Sequence, residues 1–139
     1  MFPPIEPYDH GMLPVGEGNS IYWDCCGNPE GKPAIYIHGG PGAGSTAQAR
    51  RFFDPDAYRI VLFDQRACGR SQPLLTERSQ LRVNTTKHLI DDIELLRARP
   101  SVVRWVMLGV SWGTTLALAY ARQHPRNMAA GIGRLEMGK

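Results

Sequence analysis

Apolar positions along this chain fall into two kinds of run. The first kind is short, continuous and rich in β-branched and aromatic residues. It occurs at 34–38 (AIYIH), 58–64 (YRIVLFD) and 104–109 (RWVMLG). Such runs suit strands buried on both faces. Residues 20–26 (SIYWDCC) are also of strand type and stop at the turn 27–33 (GNPEGKP). The second kind is periodic. Across 85–100, Leu89, Ile90, Ile93 and Leu96 share one helical face, while Lys87, Asp91, Asp92 and Glu94 take the other. Asn84 or Thr85 can cap this helix, and Pro100 lies just beyond its end. Residues 111–125 predict a second helix, rich in Ala and Leu and closed by His124-Pro125. Residues 43–53 predict a shorter one. Residues 1–19, rich in Pro and Gly, read as an arm leading into a first strand or hairpin.

Strands alternating with helices predict an α/β fold: a mostly parallel sheet flanked by helices. In open sheets of this kind ligands bind outside the carboxyl ends of the strands. Three loops stand there. The first is His38-Gly39-Gly40-Pro41-Gly42. Its glycines let backbone N–H groups approach a ligand and face an oxyanion. A phosphate cradle is the rival reading, but neither G-x-G-x-x-G nor G-x-x-x-x-G-K-[ST] occurs here. A plain tight turn stays open as well. The second loop runs from Asp64 to Ser71 (DQRACGRS) and reads as a brace between neighbouring loops.

The third loop is Gly109-Val110-Ser111-Trp112-Gly113, which fits the nucleophile elbow G-x-S-x-G. A serine on a strained strand-to-helix turn projects its hydroxyl above the sheet. Crowding then requires small residues two before and two after it, as Gly109 and Gly113 are. The helix that follows aims its N-terminal N–H groups at the point where negative charge would develop.

Composition narrows the partners. A length of 139 residues with 42% apolar and 21% charged residues suits one ordinary globular domain. The net charge of +3 comes with no basic stripe interleaved with aromatics, so no nucleic acid is expected. No apolar run approaches the roughly 18 residues of a membrane span, so no membrane is expected either. The start, MFPPIEPYDHG, has neither the basic nor the apolar region of a signal peptide. Cys25, Cys26 and Cys68 are odd in number, two are adjacent, and metal-ligand spacing is absent. Neither a disulfide framework nor a metal site is expected, and the location is expected to be cytoplasmic.

Taken together, HGGPG, DQRACGRS, NTTKHLIDDIELLR and GVSWGTTLALAYARQHP, in this order, resemble the proline iminopeptidases. These are prolyl aminopeptidases, serine peptidases of the α/β-hydrolase fold. The likeness spans roughly residues 8–125. It implies an enzyme that removes N-terminal proline from peptides by acyl transfer, with no metal and no organic cofactor. By position, Ser111 is the nucleophile, and the backbone N–H groups of Gly40 and Trp112 form the oxyanion hole. Gly109, Gly113, His38, Gly39, Pro41 and Gly42 support the elbow and loop, with His38 structural and not the base. Two positions depart from the family pattern, Val110 and Ala67, where it has glycine. Val110 is expected to perturb the turn without abolishing it. If position 67 needs a positive φ, Ala67 costs about 1 kcal/mol.

The family's triad continues from serine to an acid and then to histidine. After Ser111 the sequence holds only Glu136 and His124. His124 closes the elbow's own helix, roughly 20 Å along its axis from the serine. His10 and His88 precede the elbow and have no evident orienting acid. The sequence therefore predicts no triad acid or base in this chain. It predicts one partial α/β-hydrolase domain, truncated after the elbow helix, with a divergent tail at about 126–139 and no cap. In the family the cap carries the proline pocket and the carboxylates that bind the substrate's amino group. The chain alone is expected to be inactive. An esterase or amidase of the same fold, or a non-catalytic remnant, are the alternatives. The Gly-rich tail reads as a poor central strand, which predicts an exposed edge on the strand at 104–109 and self-association through it.

Overall fold

The computed structural model describes residues 1–39, 44–72, 85–99 and 102–134, with side chains through residue 129. Six strands form one sheet: β1 (Asp9–Gly16), β2 (Asn19–Gly27), β3 (Lys32–Ile37), β4 (Tyr58–Phe63), β5 (Trp105–Val110) and β6 (Met128–Arg134). Their order in space is β1-β2-β4-β3-β5-β6. β1 pairs antiparallel with β2, and β2 antiparallel with β4. The β4–β3, β3–β5 and β5–β6 pairs are parallel. The arm thus supplies the first strand of a hairpin, and the sheet becomes parallel where the three apolar runs lie side by side.

Helices α1 (Thr86–Ala98) and α2 (Trp112–Gln123) cover one face of the sheet. Leu89, Ile90, Ile93 and Leu96 of α1 pack with Leu116, Ala117 and Tyr120 of α2 on the larger core cluster. A 3-10 helix, Ala47–Phe52, lies on the other face, where Ala49 and Phe53 meet Tyr36, Ile60 and Leu62. The alternation of side chains sends Cys25 to the first cluster and Cys26 to the second. Burial pushes the two thiols up to about 11 and about 12, so both stay protonated and unreactive at neutral pH.

The sheet overturns one expectation. β5 is no edge: β6 pairs with it from Trp105 to Val110. The last strand among the described residues is β6. Its Gly- and Ala-rich sequence carries little strand signal, but backbone groups alone make the ladder, and β5 offers a full row of them. A second correction concerns α1. Asp92 and Glu94, placed by periodicity on the face away from Leu89, Ile90, Ile93 and Leu96, are drawn into contacts with the rest of the fold. Asp92 is buried and takes a two-pronged ion pair from Arg66, with Nε–Oδ2 at 2.7 Å and Nη2–Oδ1 at 2.9 Å. Glu94 is half-buried and accepts hydrogen bonds from Arg97, from Tyr120 of α2, and from Asn127 just before β6. Thr85 caps α1, its hydroxyl accepting from His88 N–H at 3.3 Å. Asn84 and Pro100 lie outside the described residues.

Glu94 ties α1 to α2 and to the approach of β6. Burial opposes its charge, but the bonds from Arg97, Tyr120 and Asn127 outweigh burial and hold its carboxyl down to about 2, from an ordinary 4.5. A depressed carboxylate stabilises the fold above its unfolded pKa and loses that contribution as pH falls through the folded one. Denaturant titrations between pH 5 and 2 should therefore show the wild-type chain losing on the order of 2 kcal/mol more than Glu94→Gln. Equal acid sensitivity of the two chains would contradict this assignment.

Candidate active site

Ser111 links β5 to α2 in the conformation φ 56°, ψ −122°, a region that L-residues other than Gly rarely enter. The strain follows from crowding on both sides. A Cβ on Gly109 would lie 2.3 Å from the Gly113 carbonyl oxygen, and one on Gly113 would lie 2.1 Å from that of Ile37. Each glycine is therefore needed by the backbone of the other or of β3. The Thr114 hydroxyl donates to the Gly109 carbonyl at 3.0 Å, and Thr114 N–H donates to the Ser111 carbonyl at 2.9 Å, so the turn is closed locally. The Ser111 side chain makes no capping bond to its helix, which leaves its hydroxyl unclaimed by α2. Val110 is not at positive φ, and its side chain packs on the second core cluster. That departure from glycine is absorbed without strain at the turn.

The glycine loop begins against this elbow. A Cβ on Gly39 would meet the Val110 carbonyl at 3.1 Å and Ser111 Cβ at 3.2 Å. Gly40, Pro41 and Gly42 lie outside the described residues. Trp112 opens α2 beside Ser111, with its side chain 40% exposed. His38 is buried, and both ring nitrogens are engaged. Nε2 accepts from Gln65 N–H at 2.9 Å, and Nδ1 faces the Gly39 carbonyl. The tautomer with the proton on Nδ1 satisfies both contacts. Burial lowers its pKa, so the ring is a neutral brace between two loops and has no nitrogen left for a proton transfer.

Asp64, at the end of β4, holds the second loop to the first. Its Oδ1 accepts from Ser45 N–H at 2.7 Å, and its Oδ2 from Arg70 N–H at 2.8 Å and Arg70 Nε at 2.9 Å. The bracing role read from the sequence is what the geometry shows. Sequence reasoning missed a second brace. Asp24, wholly buried in β2, is ion-paired to Arg50 at 2.8 Å and accepts from the Tyr22 hydroxyl at 2.9 Å. The available signal was a lone carboxylate inside an apolar strand, which demands a buried partner.

None of the other histidines is hydrogen-bonded to Ser111. His10 is exposed on β1, the outermost strand at the far side of the sheet. His88 belongs to the α1 cap. His124 follows the far end of α2 and packs against Tyr120. Glu136 lies outside the described residues. Among the described residues no group of three or more His, Cys, Asp or Glu side chains could hold a metal ion, and no helix is long and apolar enough to cross a membrane.

A family model described as the alpha/beta hydrolase fold matches residues 32–133, which hold the glycine loop, the Asp64 loop and the elbow. The chain belongs to this family. Within the alpha/beta hydrolases it is 56% identical over 126 residues to a probable proline iminopeptidase of Streptomyces coelicolor, covering 90% of this chain and 39% of that protein. It is 49% identical over 125 residues to a proline iminopeptidase of Arabidopsis thaliana, covering 90% of this chain and 32% of that one. The crystal structure of a proline iminopeptidase-related protein from Thermus thermophilus superposes with a TM-score of 0.78 at 30% identity, over 90% of this chain and 43% of that one. The chain spans about a third to two fifths of the length of these curated relatives.

Two substitutions test the local geometry. Ala67 has φ 64°, the positive value at which its Cβ is a liability. Ala67→Gly should raise the unfolding free energy by about 1 kcal/mol in urea titrations. Gly113→Ala should lower it by about 3 kcal/mol or more, because the new Cβ would meet backbone oxygens that cannot move aside cheaply.

Proposed function

We propose that this chain is the nucleophile-bearing part of a serine aminopeptidase that releases N-terminal proline from peptides in the cytoplasm. The observation that carries the proposal is Ser111 held at φ 56° at the carboxyl end of β5, in a chain about half identical to proline iminopeptidases. Ser111 Oγ attacks the carbonyl carbon of the N-terminal proline itself. The backbone N–H groups of Gly40 and Trp112 take the oxyanion, helped by the N-terminus of α2. Breakdown releases the shortened peptide and leaves a prolyl ester on Ser111, which water then hydrolyses.

The base and its orienting acid come from outside these 139 residues. This follows the placement of the four histidines, of which one is locked as a brace and three stand apart from the serine. We assign the chain to one partial domain without the cap, and the proline pocket belongs to that cap. Other members of the fold would keep the same elbow for esters or amides. The degree of identity to proline iminopeptidases favours the peptide.

A chimera in which residues 8–125 of this chain replace the matching segment of the Streptomyces coelicolor relative should hydrolyse proline β-naphthylamide. Ser111→Ala in that chimera should reduce turnover by about 10³-fold or more. The 139-residue chain alone should show no turnover. A folded chimera inactive on the proline substrate, or one indifferent to loss of Ser111, would overturn the assignment.

A further inference from the structure

A cavity of about 470 Å³ lies on the α1 face of the sheet, bounded by β1, β2, β4 and the last turn of α1. It is remote from the elbow. Arg59 is the second residue of β4, at the amino end of the parallel strands, whereas Ser111 follows the carboxyl end of β5. Register explains the wall. Cys25 stands opposite Val61 on the neighbouring strand, and Trp23 and Arg59 follow on the same face by the two-residue alternation. Leu96 and Arg99 close the space from α1. The Arg99 guanidinium sits 4.9 Å from the centre of the Trp23 ring.

Two features make this space more than a packing gap. Its floor is apolar, from Trp23, Val61 and Leu96, while two arginines border it. Arg59 is half-buried, and its Nε is fully buried without a hydrogen-bond partner among the described residues. It shares no ion pair with Asp9, the one carboxylate on the lining. The two buried arginines among the described residues each have a carboxylate, although Arg50 Nε is likewise unbonded. Arg50 is paired with Asp24, and Arg66 with Asp92 and Glu17. Its Nε is withdrawn from water without a partner, and a carboxylate entering the cavity could meet the Arg59 guanidinium with two parallel bonds. The volume falls within the range of small-molecule sites.

We propose that this cavity binds a small organic carboxylate with an apolar body. The carboxylate pairs with Arg59 while the body lies against Trp23, Val61 and Leu96, with Arg99 closing over the indole. The site is independent of Ser111 and of the reaction assigned to it.

The test uses the 139-residue chain, with folding checked by circular dichroism and phenylacetate as the probe. Its neutral isostere, phenylacetamide, is the control. Two-dimensional NMR titration should show saturable shifts of the Trp23 indole N–H with phenylacetate, and binding of phenylacetamide at least 10-fold weaker. Arg59→Met should remove the preference for the acid, and Arg59→Lys should retain part of it. Ser111→Ala should leave binding unchanged, which separates this site from the catalytic assignment. The proposal is overturned if the folded wild-type chain gives no saturable shift. It is equally overturned if acid and amide bind alike, or if folded Arg59→Met or, should that variant not fold, Arg59→Lys binds the acid as the wild type does.

Discussion

The structure turns on one close approach, where the first turn of α2 passes over the end of β3. Gly113 lies against the carbonyl oxygens of Ile37 and His38, and Gly109 lies against Gly113. Two backbone segments can come this near only without side chains between them. The contact fixes the angle at which α2 leaves the sheet and forces Ser111 into the left-handed region. It also sets Gly39 beside Ser111. The conformation of Ser111 is thus inherited from backbone packing, with the Val110 side chain turned to the second core cluster.

Around that contact, buried charges do the positioning. Asp64 gathers backbone and side-chain donors from the loops after β3 and β4. His38, neutral and doubly engaged, ties the same two loops from the core side. Arg66 reaches from the second loop to Asp92 of α1 and to the backbone of Val15 in β1. These bonds give the loops fixed positions in a region where apolar contacts alone would leave them free to slide. Removing one partner would strand a buried charge, so each pair is costlier to break than to have omitted.

Much of this was legible in the sequence, for physical reasons. A strained turn between strand and helix leaves a glycine signature, so Ser111, Gly109 and Gly113 could be placed before any coordinates. Buried parallel strands leave continuous apolar runs, and all three were found to within two residues at each end. β6 was not legible. A strand made of Met128, Ala129, Ala130, Gly131 and their neighbours is held by the ladder β5 extends to it, and sequence periodicity does not report an available partner. The partners of Asp92 and Glu94 were not legible either. A carboxylate on a helix reads as solvated unless one knows that Arg66 or Arg97 will meet it.

The adjacent cysteines have a consequence for following this protein's motions. Cys25 belongs to the helical layer's core, and Cys26 to the core under the 3-10 helix. Neighbouring residues on one strand thus report on opposite sides of the sheet. Cys26, wholly buried, becomes open to alkylation only when its layer lifts away, whereas Cys25 borders the cavity beside α1. Mass spectrometry that resolves the two sites would therefore time the loosening of the layer under the 3-10 helix against the access the cavity gives Cys25, with one strand serving as the shared reference.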